Sequence, residues 1–208
     1  MFDSIKNKLF RRKENLSKDQ IDALNKKAQQ LSPVQEYDLI DLYKMGFVKA
    51  FALGQSITHV KAELINISDR DIRIKINPGT YFVSGGNHQN MVVRNHRKIT
   101  LPANTTDNIL VAASCINADR PIPTQQDKFH GLDRVPDKLQ RFLDHASHLD
   151  PMVVQAGVWA ITDRYSENDI RSHLVNQDQF GTRGSAISRG QIEEARRVLN
   201  DLNIPHRL

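Results

Sequence analysis

The chain has 208 residues, of which 39% are hydrophobic and 25% are charged, and its formal net charge is +5. This length is sufficient for one large or two small domains, and the composition is that of a globular protein rather than a disordered one. No segment approaches the ~18–20 apolar residues of a membrane-spanning helix, and the N-terminus lacks the features of a signal peptide. Because a single cysteine excludes an internal disulfide, we expect a cytoplasmic protein.

The basic residues are concentrated at the N-terminus. If residues 1–13 form a helix, Phe2, Ile5 and Leu9 fall near one face and the basic residues occupy its flanks and back. Such a segment binds an acidic membrane, where each basic residue contributes ~1 kcal/mol, and this would place the protein at the inner membrane face. Nucleic acid is a less favoured partner, and packing on the protein itself, a partner helix or a second copy in a homo-oligomer is a further alternative. The candidate binding residues of this arm are Lys6, Lys8, Arg11, Arg12 and Lys13.

Capping patterns predict helices after the arm and before the first strand. Ser17 followed by Gln20 at the third position forms a capping box, which predicts that a helix begins directly after Ser17. Pro33 occupies the favoured first position of the next predicted helix, and Gly46 is a suitable residue to end it. We therefore predict a helical N-terminal arm over residues 1–45.

Between Phe47 and Asn117 the apolar residues alternate with polar ones at a period of two. In the segment DIRIKIN, three isoleucines alternate with charged or polar residues, which indicates a strand with one buried face. About seven such segments follow one another, separated by turn sequences and without an intervening helix. This pattern predicts an α+β fold in which N-terminal helices precede a central antiparallel β-sandwich over residues 46–117 and a C-terminal helical unit follows it.

The segment NISDRDIRIKINPGTYF resembles a strand pair of immunoglobulin-like bacterial sandwiches, where an asparagine-serine turn precedes an isoleucine-rich strand and a Pro-Gly-Thr turn. The resemblance covers residues 56–117 and implies an immunoglobulin-like arrangement of the sandwich. The chain lacks the paired cysteines and the core tryptophan of true immunoglobulin domains, because its single tryptophan, Trp159, lies in the helical part.

The alternation stops after the last of these predicted strands. Residues 118–134 contain prolines and no periodicity, which predicts a connector on the surface. Residues 135–208 have helical periodicity and are predicted to form a helical domain. Asp150 is the expected cap of a helix that is apolar on nearly every side and is therefore buried. Further capping patterns begin at Ser166 and Ser188.

Cys115 is the only cysteine, and two interpretations of it remain open. It shares the strand parity of the apolar residues in NILVAASCI, which predicts a small core residue. A catalytic cysteine is instead expected in an electropositive, partly exposed position. In that second interpretation, Cys115 and His130 form an enzyme site with Gln155 at the junction of sandwich and helices. Taken alone, Gln155 is expected to be a structural hydrogen-bonding residue of the buried helix.

Two loops contain further candidate binding residues. The segment SGGNHQN places Asn87 and His88 at a predicted hairpin tip, and polar loops on a rigid β-fold are frequent binding surfaces. The segment GTRGS places Arg183 ahead of a predicted helix, which suits an anion site. The lysine and the preceding strand of a phosphate-binding loop are missing, so a plain interhelical loop is the alternative.

No group of residues in the sequence specifies a reaction. There is no paired-carboxylate motif, nucleophile elbow or dinucleotide-binding loop. His145 and His148 are three positions apart, whereas zinc enzymes with helical histidines use a spacing of four, so we expect a solvated pair and no metal or other cofactor. We therefore predict a non-catalytic interaction module, with the sandwich loops as its binding surface and the basic arm as a tether to an acidic membrane or protein partner.

Overall fold

The computed structural model describes residues 16–177 and 183–208. The strands in this part of the chain are β1 (Glu36–Asp38), β2 (Val48–Ser56), β3 (His59–Asn66), β4 (Ile72–Ile76), β5 (Thr80–Ser84), β6 (Asn90–Val93), β7 (Arg97–Leu101), β8 (Thr106–Ile116), β9 (Lys128–Arg134), β10 (Val175–Gln177) and β11 (Arg183–Ser185). The helices are α1 (Lys18–Ala28), α2 (Leu39–Lys44), α3 (Asp137–Ala146), α4 (Pro151–Thr162), α5 (Glu167–His173) and α6 (Arg189–Asp201). The structure is mixed α+β, and helices precede and follow the main strands along the chain, as the sequence predicts.

Six strands form a closed barrel in the order β2-β3-β8-β6-β5-β9, and neighbouring strands are antiparallel. Along β2, Val48, Ala50 and Ala52 are buried, whereas the residues between them are only partly buried. This alternation follows from the pleat of the strand, which directs successive side chains to the interior and the outside of the barrel. The barrel interior therefore contains small and branched apolar side chains, as the period of two predicts.

The predicted immunoglobulin-like sandwich is wrong, because the sheet closes on itself instead of splitting into two packed sheets. Strand β9 completes the closure. It pairs with β5 along its length, and with β2 at Ala52↔Phe129 and Leu53↔Lys128. This strand lies within residues 118–134, so the predicted surface connector contains the closing strand of the barrel.

A β-bulge explains why β9 has no regular alternation in the sequence. The ladder with β5 passes from Gly131 to Phe129, so His130 is an extra residue without a partner in that ladder. The buried residues Phe129 and Leu132 are consequently three positions apart instead of two. An interrupted alternation of this kind has no strand signature in the sequence.

A second, three-stranded sheet has the order β1-β4-β7. Strand β4 is antiparallel to β7 and parallel to β1. The sequence instead predicts a helix from Pro33 through the residues of β1. Helix α2 begins later because Asp38 is its N-cap, and its Oδ1 accepts a hydrogen bond from the Ile40 N–H at 2.9 Å. Asp38 also forms a 3.0 Å ion pair with Arg134, which joins the start of α2 to β9.

The C-terminal helices pack on the outside of the barrel around α4. All residues of α4 from Val153 to Ala160 are buried, which confirms the prediction of a buried helix. Asp150 caps this helix, and its Oδ1 accepts a hydrogen bond from the Met152 N–H at 2.8 Å. One side of α4 packs on β8 and the other on α3 and α6. The predicted helix starts are confirmed by complete capping boxes at Ser17, Ser166 and Ser188.

Candidate functional site

A polar cleft of about 430 Å³ opens at one end of the barrel. Two loops form it: residues 85–89, which connect β5 to β6, and residues 117–127, which precede β9. The polar side chains that line it belong to Asn87, His88, Thr124, Gln126, Asp127, Lys128 and His130. We refer to this feature as the barrel-end cleft.

The two loops are joined to each other through Gln89, which is fully buried. Its backbone N–H donates to the carbonyl of Pro121 at 2.9 Å, and its Nε2 donates to the carbonyl of Arg120 at 2.8 Å. The loop of residues 117–127 also packs on β2, because the carbonyl of Thr124 lies so close to Gly54 that a Cβ at this glycine would overlap it. These contacts hold both loops against the barrel, so the cleft is a preformed feature.

Asp127 is held by its own loop. Its Oδ2 accepts hydrogen bonds from the backbone N–H of Thr124 at 2.7 Å and from Thr124 Oγ1 at 2.9 Å. These two bonds stabilise the carboxylate and lower the pKa of Asp127 below its ordinary value, with a smaller contribution from nearby His88. Asp127 is therefore a fixed anion that closes the loop rather than a proton donor.

His88 lies behind Asp127 and is only 7% exposed. Its Nδ1 is 3.5 Å from Asp127 Oδ1, and its ring packs edge-to-face on Phe129 with the ring centres 4.8 Å apart. Its Nε2 is buried and has no hydrogen-bond partner in the described part of the chain. A buried polar atom without a partner is uncommon, because its desolvation is not compensated.

His130 reaches the cleft because of the bulge in β9. The bulge turns its side chain outward, where the ring lies against Gly85 and makes an edge contact with Phe51 at 6.4 Å between ring centres. A Cβ at Gly85 would overlap the His130 ring. The Gly85 N–H also donates to the carbonyl of Lys128 at 2.8 Å. A glycine at this position is thus required for the close approach of loop and strand.

Four polar side chains of the cleft are exposed and make no hydrogen bond or ion pair with any described residue. They provide two amides, an ammonium group and an imidazole. Groups of this kind bind carboxylates, amides and other polar groups of a ligand. The four residues are Asn87, Gln126, Lys128 and His130.

The structure places only part of the predicted binding residues in this cleft. Asn87 and His88 line it, with Asn87 exposed and His88 buried. Arg183 is the first residue of β11, and its side chain lies outside the described part of the structure. The predicted arm residues also lie outside the described residues; they are Lys6, Lys8, Arg11, Arg12 and Lys13.

Sequence reasoning missed Gln126, Asp127 and Lys128, because they fall in the segment predicted to be a connector. The spacing of Thr124 and Asp127 is the one local signal that was available. A threonine three residues before an acidic residue is the pattern of a capping box, and here the same pair closes a loop.

Cys115 and His130 are not brought together. Cys115 is fully buried in the barrel, where its Sγ is 3.2 Å from Met91 Sδ, whereas His130 is exposed on the outer side of β9. Burial raises the pKa of Cys115 to about 12, so the thiol stays protonated near neutral pH. Gln155 does contact Cys115, but through hydrogen bonds to its backbone.

No family model, curated protein or solved structure matches this chain. Among the described residues, no group of three or more histidine, cysteine, aspartate or glutamate side chains is placed to hold a metal ion. No helix in residues 16–177 and 183–208 has both the length and the apolar character needed to cross a membrane. The interpretation of the cleft therefore depends on its own geometry.

Proposed function

We propose that the protein is a non-catalytic interaction module and that the barrel-end cleft is its binding surface for a protein partner. One observation supports this proposal above the others: the loops of the cleft are fixed by buried hydrogen bonds, while the exposed polar side chains that line it have no partner in the described chain. A preorganised frame with unengaged polar groups reduces the entropy that a partner loses on binding.

The catalytic alternative has less support from the geometry. The thiol of Cys115 has a raised pKa and points into the barrel, away from the cleft. The hydroxyl of Thr124, which lines the cleft, donates to Asp127 and is held in the loop. Neither group has the exposed, activated setting of a nucleophile.

The basic arm supplies the second part of the proposal. Its five lysine and arginine residues within positions 6–13 suit an acidic membrane surface, which would place the protein at the cytoplasmic side of a membrane. Co-sedimentation with vesicles of phosphatidylserine and phosphatidylcholine tests this part. We expect the full chain to bind at low salt and less at physiological salt, and a variant with all five residues changed to glutamine to lose binding. Equal binding of the two proteins would contradict the tether.

Site-specific photo-crosslinking tests the cleft. We place p-benzoylphenylalanine at position 87 or 126 of the full chain, and as controls at the exposed position 138 in α3 and the exposed position 148 in the turn after it. The expected result is a partner cross-linked at the cleft positions only. The purified partner must then bind the unmodified protein and bind an Asn87→Asp/Lys128→Glu variant more weakly. Equal cross-linking at all four positions would contradict a binding role of the cleft.

A further inference from the structure

We propose that the barrel-end cleft binds a carboxylate group of an acidic peptide segment, with Lys128, His130 and Asn87 as the recognition residues. This inference rests on the proposed binding function and adds the chemistry of the ligand. Four observations support it: the position of the three donors, the hydrogen bonds that already occupy Asp127, the charge of the cleft lining, and the buried side chain of His88.

The donors come from two elements that the fold holds together. Lys128 and His130 flank the buried Phe129, so both of their side chains lie on the outer surface of β9. The loop that carries Asn87 packs against the same strand, through the bond from Gly85 to the carbonyl of Lys128. An ammonium group, an imidazole and an amide in one cleft supply a charge and several N–H donors to a carboxylate.

The carboxylate of Asp127 does not neutralise Lys128. Its Oδ2 accepts both hydrogen bonds from Thr124, its Oδ1 faces His88, and it forms no ion pair with Lys128. The ammonium group of Lys128 consequently has no ion-pair partner among the described residues and is available to an external anion.

The charge of the cleft favours a carboxylate over a phosphate. In the described lining, Lys128 is the one permanent cation and Asp127 is a permanent anion. A phosphate monoester carries about −1.5 to −2 charges near neutral pH, so it would bring a second negative charge close to Asp127. A carboxylate carries one charge, which Lys128 matches.

His88 provides an independent indication that the cleft receives a ligand. The residue lines the cleft and is 7% exposed, and its Nε2 is buried without a hydrogen bond to any described residue. Because Nε2 is closed to solvent in the free protein, a ligand or a bridging water gives it a partner only if binding moves the His88 ring.

The test is an NMR titration of the ¹⁵N-labelled full chain with N-acetyl-glutamate N-methylamide. The matching glutamine derivative is the neutral control, and inorganic phosphate at equal ionic strength is the second anion. We expect saturable shifts at the amides of residues 85–88 and 126–130 with the glutamate derivative, and much smaller shifts with the other two. Lys128→Gln should weaken the affinity about threefold or more, whereas Lys138→Gln on α3 should not change it. His130→Gln should also weaken binding, with His148→Gln as its matched control.

Equal shifts with the glutamate and glutamine derivatives, or tighter binding of phosphate, would overturn the carboxylate assignment. The result is separable from the cross-linking experiment above. A partner captured at positions 87 and 126 without carboxylate-selective shifts would leave the interaction module in place and remove this inference. Carboxylate-selective shifts without a captured partner would support the site chemistry and contradict the wider proposal.

Discussion

The side-chain amide of Gln155 binds both the backbone N–H and the backbone carbonyl of Cys115. The Cys115 N–H donates to Gln155 Oε1, and Gln155 Nε2 donates to the Cys115 carbonyl, each at 2.8 Å. Strand β3 pairs with β8 only as far as Ala112, so Cys115 lies beyond the end of that ladder. The glutamine amide has the same donor and acceptor geometry as a peptide group, and it pairs with this edge of β8 beyond the end of the ladder. Helix α4 is thereby joined to the barrel.

Replacing Gln155 with methionine should destabilise the protein strongly. Methionine keeps most of the buried volume but leaves an N–H and a carbonyl of the fully buried Cys115 without partners. Each of these two buried unpaired groups costs about 1–3 kcal/mol, so we expect a loss of about 2–6 kcal/mol in the free energy of unfolding. Urea denaturation followed by circular dichroism measures it. Gln125→Met at an exposed loop position is the control and should change stability by less than ~0.5 kcal/mol. A similar small change for both variants would show that the amide contributes little.

The thiol of Cys115 should react only after unfolding. It is fully buried, and burial raises its pKa to about 12, so thiolate is scarce near pH 8. Labelling with a chromogenic disulfide reagent at pH 8 is expected to be slow in native conditions and rapid and stoichiometric in denaturing urea. Complete labelling of the folded protein within minutes would revive the interpretation of Cys115 as a nucleophile.

Gly157 permits helix α4 to approach α3, and its replacement should disrupt this contact. A Cβ at Gly157 would overlap the ring of Phe142, which is fully buried. Gly157→Ala should therefore destabilise the protein by about 1–3 kcal/mol, although alanine has the higher helix propensity. Phe142→Leu in the same chain should recover part of the loss, as a double-mutant cycle would reveal. Gly190→Ala in α6 is the matched control, because its Cβ would make only an ordinary contact with Ser188 Oγ at 3.9 Å, and it should be neutral or stabilising.

The sequence predicted those parts of the fold that depend on local physical rules. Ser17, Ser166 and Ser188 begin helices because their side chains satisfy free backbone N–H groups of the first turn, and this pattern is local. The burial of α4 follows from its composition. Closure of the barrel was not predictable in this way, because it depends on pairing between β9 and strands more than forty residues earlier. The bulge at His130 also removed the alternation that identifies a strand.

The candidate site was predictable only where a loop signal existed. Asn87 and His88 follow two glycines at a hairpin tip, and their placement at the barrel end agrees with that signal. Lys128 and His130 belong to an unrecognised strand, so nothing in the sequence indicated that they face the same cleft. The proximity of Cys115 and His130 along the chain was misleading, since the fold places one inside the barrel and the other outside.

Asp163 should make stability depend on pH in a defined direction. Burial raises its pKa, partly offset by hydrogen bonds from Thr162 Oγ1 at 2.6 Å and from the Ala118 N–H at 2.9 Å, while nearby Asp119 raises it further. Because the pKa of Asp163 is higher in the folded than in the unfolded protein, this group stabilises the fold fully below the unfolded pKa of ~3.9. That stabilisation is lost as pH rises through the folded pKa. Asp163→Asn keeps an acceptor for Ala118 and cannot ionise. The stability of this variant relative to wild type should therefore increase as pH rises from ~3.9 through the folded pKa of Asp163, and then level off.

The opposite behaviour is expected at Asp169, which serves as the comparison. Hydrogen bonds from Ser166 lower the pKa of Asp169, so its contribution is present above ~3.9 and is lost as pH falls through the lower folded pKa. Asp169→Asn should lose stability relative to wild type at neutral pH and approach it in acid. Thermal unfolding of the three proteins between pH 3 and pH 7 measures both trends. Parallel curves for the two variants would contradict the assignment.

Gly85 should control the shape of the barrel-end cleft. A Cβ at this position would overlap the His130 ring and would lie 3.0 Å from the carbonyl of Lys128, so Gly85→Ala must displace the loop or the ring. We expect shifted amide resonances across residues 85–88, and a weaker response to the glutamate derivative, with the rest of the barrel unchanged. Adding His130→Ala removes the ring but leaves the carbonyl contact, so the double variant should regain stability without regaining ligand binding. Gly86→Ala is the control, because its Cβ would meet only ordinary contacts with His88 at 3.5 Å. If Gly85→Ala and Gly86→Ala affect the cleft equally, the close approach of loop and strand does not determine its form.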